Sequence, residues 1–316
     1  MMRKMRIWKR GCLGLIALLL VALMGASYYM IDYALAPEPD RENVARWQKE
    51  FLTNHPESRE WLDSMLTTKT LRDTFLVMPS GERHHALLAT HPSGGHRVAM
   101  VLHGWRCCSI TMLHYAQLFY QQLGCHILLP DLHAHGLSEG RRIGMGWKER
   151  FDVIRWMELA KSEFQADSLI LHGVSMGAAT AMNVAGEQLP EGFSKIWFIE
   201  DCGYTSVWDE LSGQLAEEFS LPPFPLLYTS SMLSRLLNGW SFGEASSLRQ
   251  VAKSQLPMLF IHGDADTFVP TQMVYPLYEA KQGEKRLWIT HGAEHAESIK
   301  LYPEAYVDTV CRFVFE

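Results

Sequence analysis

The chain has 316 residues, of which 47% are hydrophobic and 20% charged, and its formal net charge is −6. That composition supports a large buried core and excludes a disordered or low-complexity chain. The acidic balance supplies no basic field, so no nucleic-acid partner is expected.

Residues 11–31 carry no charge. As a helix such a run is long enough to cross the ~30 Å hydrocarbon core of a bilayer. Arg3, Lys4, Arg6, Lys9 and Arg10 precede it, and Asp32, Glu38 and Asp40 follow. The positive-inside rule then leaves residues 1–10 in the cytoplasm and carries the rest of the chain across the membrane. Tyr28, Tyr29 and Tyr33 suit an interfacial aromatic belt. The competing reading is a cleaved signal peptide and a secreted protein, because Ala34-Leu35-Ala36 has the small-x-small form. Pro37 directly follows that site and opposes cleavage, so a retained single-pass signal anchor is expected. Residues 32–70 read as a helical connecting segment, with Trp47, Phe51, Trp61, Leu62 and Met65 available to dock onto a domain spanning 71–316.

Within that domain, short apolar runs alternate with longer amphipathic segments. Strands are predicted at 75–78, 84–90, 97–103, 125–130, 169–173, 195–199, 258–262 and 286–290. Blocks such as "VAMVLHG" and "MLFIHGD" are apolar throughout, as strands covered on both faces are. Helices are predicted at 111–123, 147–164, 176–188, 271–281 and 303–315, the first stopped by Gly124. The alternation predicts an α/β fold: a mostly parallel eight-stranded sheet with helices on both faces and an antiparallel hairpin at its start. Residues 204–256 lack a strand signal and are rich in aromatics, which predicts a small helical lid inserted at the carboxyl edge.

The stretch Gly173-Val174-Ser175-Met176-Gly177 fits G-x-S-x-G, with an apolar strand entering and the helix-favouring "AATAMNVA" leaving. A nucleophile elbow needs this arrangement: the serine takes a strained conformation and its neighbours two residues away must be small. A serine hydroxyl also needs a base, and the base an orienting carboxylate. Asp264 and Asp266 follow one strand, and His291 and His295 follow the last.

Taken in order, "LHGW", "DLHAHGLSEG", the elbow, "HGDADTFVP" and "HGAEHAES" resemble the landmarks of the α/β-hydrolase superfamily. The branch is that of serine aminopeptidases, monoacylglycerol-lipase-like enzymes and esterases. The second landmark departs from the family pattern, with His133 in place of an arginine and Ala134 in place of a glycine. The anchor followed by "YALAP" is similar to uncharacterised membrane-anchored bacterial hydrolases. The resemblance implies a catalytic trio of Ser175 as nucleophile, Asp266 as orienting carboxylate and His295 as general base. It also implies an oxyanion hole from the backbone amides of Trp105 and Met176.

His133 and His135 form an H-x-H pair, but no third ligand at metal-binding spacing lies nearby in sequence, so no metal and no cofactor is expected. Cys12, Cys107, Cys108, Cys125, Cys202 and Cys311 have no C-x-x-C spacing; Cys12 lies in the N-terminal apolar run, and most of the six read as buried small hydrophobes rather than a disulfide framework. The expected function is a serine hydrolase cleaving carboxylic esters of small or lipid-like apolar acyl groups. Trp105, Trp208, Phe224, Tyr228 and Trp240 are the candidate substrate-binding residues. Peptide or amide hydrolysis, thioester cleavage and acyl transfer remain open on the same scaffold, as does a non-catalytic binding protein.

Overall fold

The apolar blocks of the sequence become strands covered on both faces. A computed structural model describes residues 2–93 and 95–316. The side chains of the basic residues Arg3, Lys4, Arg6 and Lys9 lie outside the described residues. Eight strands form one sheet: β1 Leu71–Val77, β2 Arg83–Ala89, β3 Arg97–Leu102, β4 His126–Pro130, β5 Ser168–Val174, β6 Lys195–Asp201, β7 Met258–Gly263 and β8 Lys285–Thr290. Their order is β1-β2-β4-β3-β5-β6-β7-β8. β1 and β2 pair antiparallel, β2 meets β4 antiparallel, and every pair from β4 to β8 is parallel. All eight predicted strands are present.

The helices are α1 Met2–Leu35, α2 Val44–Asn54, α3 Arg59–Thr67, α4 Leu113–Leu123, α5 Glu149–Phe164, α6 Met176–Ala185, α7 Val207–Phe219, α8 Leu226–Asn238, α9 Ser247–Val251, α10 Val274–Ala280, α11 Ser298–Leu301 and α12 Pro303–Phe315. Gly124 ends α4 in the left-handed conformation (φ 62°), which costs a residue without Cβ nothing. One apolar layer packs α5, α6 and the helices of the 204–256 insertion on one face of the sheet. A second packs α4 and α12 on the other face, together with Trp47, Phe51, Leu62 and Met65 of α2 and α3. The sheet is therefore buried on both sides, which is why its central strands read as unbroken hydrophobic runs.

α1 has two characters. Leu13, Leu15, Ile16, Leu18, Leu19 and Leu20 are exposed around its shaft. Among the described residues, the stretch Arg10–Leu35 is the one helical segment long and apolar enough to cross a membrane. The helix does not stop where the uncharged run ends at residue 31 but continues through Asp32 to Leu35. Its last turns enter the core of the domain: Ser27, Ile31, Ala34 and Leu35 are buried. Ser27 Oγ lies 2.6 Å from Thr229 Oγ1 of α8, Ile143 N donates to Leu35 O at 2.8 Å, and Arg142 pairs with Asp32 at 2.5 Å.

Candidate active site

β5 ends at the carboxyl edge of the sheet and turns directly into α6 through Ser175, whose backbone is at φ 57° and ψ −118°. This is a strained conformation for a residue with a side chain, held by packing on every side. A Cβ on Gly173 would lie 2.1 Å from Gly177 O, and one on Gly177 would lie 2.1 Å from Leu102 O. The two glycines are thus required by close backbone approach. The serine hydroxyl stands at the N-terminus of α6, where the helix dipole favours developing negative charge.

Loops after β7 and β8 bring the other two groups to it. Ser175 Oγ donates to His295 Nε2 at 2.9 Å, and His295 Nδ1 donates to Asp266 Oδ2 at 2.8 Å. The second oxygen of Asp266 accepts the amide of Val269 at 2.9 Å. His262, fully buried at the end of β7, lies 3.4 Å from Asp266 Oδ2 and is held by Val269 O at 2.9 Å. Burial pushes the Asp266 carboxyl up, but its hydrogen bonds with His262 and His295, the charge of His295 and the Val269 amide outweigh this and hold it at about 2. His262 is a brace that motif reading passed over, although it is the first residue of the "HGDADTFVP" landmark. Asp264 and His291 pair with each other on the surface at 2.7 Å, apart from the trio.

Gly104 lies against the serine: a Cβ there would sit 3.5 Å from Ser175 Cβ. This brings the loop carrying the Trp105 amide beside the hydroxyl, with the Met176 amide next to it on the helix side. Among the described residues, neither amide donates to another part of the chain. The Trp105 ring is fixed from outside the domain, since Nε1 donates to Ala34 O of α1 at 2.9 Å. Arg106 donates to Tyr33 O at 3.0 Å and to Ala36 O at 3.3 Å.

Ser175 forms the floor of a mostly apolar cleft. Its walls are Trp105, Met145, Tyr204, Leu227, Phe242 and Phe268, with Leu211, Gln214, Leu215, Glu218 and Phe219 along one face of α7. Met30, Tyr33 and Ala34 of α1 complete it. Tyr33 closes one side by donating to Glu218 at 2.5 Å and meeting the Phe219 ring edge-on at 5.5 Å. One acid faces the cleft from a buried position: Glu210, whose pKa burial pushes up to about 8.

Of the five aromatics expected to contact substrate, only Trp105 lines this cleft. Trp208 packs edge-on against Tyr228 with ring centroids 4.8 Å apart, while Phe224 and Tyr228 are exposed on the outer side of the lid. Trp240 is buried against Phe242 and faces a different hollow. The lid helices turn these rings to their own packing and to solvent, because the stripe of α7 that faces the serine begins at Glu210, past Trp208. Composition alone does not give that direction.

The turn after β4 keeps its bracing despite its two departures. Asp131 accepts from His85 at 2.7 Å and from the amides of Ser109 and Leu137 at 2.7 and 2.9 Å. Ala134 takes the left-handed conformation (φ 63°) that glycine would adopt without strain. His135 accepts the amide of Arg106 at 3.1 Å, so its imidazole supports the loop that carries Trp105. All six cysteines are free thiols. Burial pushes Cys107 up to about 11 and raises Cys108 as well, so neither carries thiolate character near neutrality. Cys202, Asp266 and His295 present ligand atoms within 4.8 Å of one another. Burial drives the Cys202 thiol far up, and both nitrogens of His295 are already engaged.

The serine hydrolase (FSH1) family profile matches residues 204–296, a stretch that carries Asp266 and His295. The Bacillus subtilis (strain 168) protein YqkD is 33% identical over 216 residues, covering 68% of this chain and 70% of its own. The Pyrococcus furiosus esterase Pf2001 superposes with a TM-score of 0.61 at 22% identity, over 77% of this chain and 91% of that one. A bacterial membrane phospholipase A superposes with a TM-score of 0.55 at 16% identity, over 97% of this chain and 98% of that one. The chain is a serine hydrolase of the α/β-hydrolase superfamily and belongs to the same family within it as YqkD.

Proposed function

We propose that the protein is a membrane-anchored esterase that cleaves carboxylic esters of apolar, lipid-like acyl groups, with Ser175, His295 and Asp266 as its catalytic residues. The observation that carries this reading is the continuous hydrogen-bonded line from Ser175 through His295 to Asp266 at the floor of an apolar cleft.

Ser175 Oγ attacks the ester carbonyl as its proton passes to His295 Nε2. Asp266 accepts the Nδ1–H and stabilises the imidazolium. The amides of Trp105 and Met176 hold the tetrahedral oxyanion, each such donor being worth roughly 10²–10³ in rate. His295 returns the proton to the leaving alcohol, and water repeats the cycle to release the acid. The apolar walls favour an acyl chain over a peptide. The likeness over nearly the whole length to a membrane phospholipase A supports a lipid-like substrate.

Retention of α1 as an anchor follows the same reasoning. The small-x-small site lies within and just beyond a helix end buried in the hydrolase core, closed to a signal peptidase once folded. The basic residues before the shaft support an N-terminus in the cytoplasm and a hydrolase domain outside it, by the positive-inside rule.

A second reading, amide or peptide hydrolysis, draws on Glu210 and Glu218 in the cleft as partners for a substrate amine. A fluorophosphonate probe should label the wild type and not Ser175→Ala; absence of wild-type labelling, or equal labelling of the variant, would remove the catalytic assignment. p-Nitrophenyl esters of graded chain length should then be turned over faster than aminoacyl amides. Preference for the amides would install the second reading.

A further inference from the structure

The pairing Ala86↔Pro130 between β2 and β4 lays the turn after β4 alongside the start of β2. Glu82 and His84 are two residues apart and so share one face of that edge. His133, one of the two departures from the family pattern in this turn, comes up against them. His133 Nδ1 lies 3.4 Å from His84 Nε2 and 3.4 Å from Glu82 Oε2, and one ligand atom from each of the three lies within 4.8 Å of the other two.

From this arrangement we infer a divalent transition-metal site of the zinc type, held by Glu82, His84 and His133. A tetrahedral zinc ion with bonds of ~2.0–2.1 Å sets its ligand atoms ~3.3–3.4 Å apart, the spacing of both contacts made by His133 Nδ1. That separation is also at the far limit of a hydrogen bond between the two imidazoles. A second, independent feature points the same way. The His84 side chain is 1% exposed, and its other nitrogen, Nδ1, has no hydrogen-bond partner in the protein. Nδ1 points toward the Asp152 carboxylate at 3.7 Å. Metal-bound histidines commonly donate their outer N–H to a carboxylate in this way.

The surroundings fit a cation. The Asp152 carboxylate beside His84 adds negative charge next to the three candidate ligands. The ring of His133 is fixed on its far edge by Gly140, where a Cβ would lie 2.7 Å from Nε2. Glu82 and His133 keep 34% and 20% side-chain exposure, which leaves an entry path and a place for water as fourth ligand. The H-x-H spacing of the sequence therefore names the wrong partner. His135 turns to the Arg106 amide, and His133 pairs instead with a residue 49 positions earlier. The ion would pin the β1–β2 hairpin to the turn that leads to Arg142 and Ile143, the residues gripping α1.

The test uses the full chain in detergent, without a polyhistidine tag, stripped with chelator and titrated with Zn²⁺, with Co²⁺ as a spectroscopic probe. One ion per chain should bind, Co²⁺ should give tetrahedral d–d bands, and Zn²⁺ should raise the melting temperature by several degrees. His133→Ala and Glu82→Gln, both at partly exposed positions, should weaken binding at least tenfold while fluorophosphonate labelling shows them folded. Asp152→Asn should weaken it by roughly 10–100-fold. No binding by the wild type, or equal binding by His133→Ala, would overturn the site and leave a hydrogen-bonded histidine pair. Neither result bears on the serine chemistry, which is read separately by the probe.

Discussion

A chain beginning at Pro37 mimics cleavage after the small-x-small site and tests whether the end of α1 belongs to the folded enzyme. It removes Ile31 and Leu35, which are 1% and 0% exposed. Fully burying each such side chain stabilises by about 1.5–3 kcal/mol. It also removes the acceptors of Trp105 Nε1, the Arg106 guanidinium and the Ile143 amide. Each of those bonds contributes about 0.5–1.5 kcal/mol net. Together the loss is about 5–10 kcal/mol, an upper range because unfolded chains already bury some surface. Against a total stability of ~5–15 kcal/mol this leaves a marginal domain. At about 2–4 °C per kcal/mol for a domain of this size, the melting temperature should fall by roughly 10–40 °C. The assay compares thermal unfolding of the two chains in the same non-ionic detergent, together with their fluorophosphonate labelling rates. Labelling should slow, because the wall formed by Met30, Tyr33 and Ala34 is gone and Trp105 has lost its tether. An unchanged melting temperature with unchanged labelling would refute the reasoning and make α1 a dispensable leader.

Asp266→Asn should keep the fold at neutral pH and lower kcat by about 10⁴, as loss of the orienting carboxylate does in such trios; steady-state ester hydrolysis measures it. Because the Asp266 carboxyl is held at about 2, its stabilising contribution is complete above pH ~4 and is lost as pH falls toward 2. Denaturant unfolding should therefore show the wild type losing ground to Asp266→Asn across that window. Glu210 has the opposite sign: pushed up to about 8, it stabilises the fold below pH ~4.5 and loses that contribution as pH rises through 8, so Glu210→Gln should be more stable than wild type at pH 9 and flatten the slope. Leu215→Trp fills the cleft and should move the preferred p-nitrophenyl ester to shorter chains, with the concentration of titratable active sites unchanged.

The sheet was legible because strands buried on both faces leave continuous apolar words such as "VAMVLHG", and because Gly124 marks a helix end. The trio was legible because the elbow and the two later loops each keep a short local pattern. Three things were not. Asp32 ends the uncharged run, and neither that run nor the helical connecting segment after it says that one helix passes through and docks; the stripe Ile31, Ala34, Leu35 at helical spacing is the signal for it. The cleft wall on α7 is likewise a stripe, Leu211, Gln214, Leu215, Glu218 and Phe219, that follows helical periodicity and mixes polar with apolar residues. Counting aromatics instead pointed to Phe224 and Tyr228, which face outward. His84 and His133 meet only through strand register, which no linear spacing encodes.

The rigid passage of α1 from its exposed shaft into the wall of the cleft sets a height. At 1.5 Å rise per residue, some twenty residues from Gly11 use up the ~30 Å apolar thickness of a bilayer by about Met30. On the membrane-anchored reading proposed above, the mouth above the serine would sit at headgroup level, and an acyl ester would have only to tilt upward along the helix to reach the nucleophile, without first dissolving in water. Inserting or deleting one turn of helix before Ser27 would raise or lower that mouth by about 5 Å and change which depth of the lipid layer the enzyme can reach.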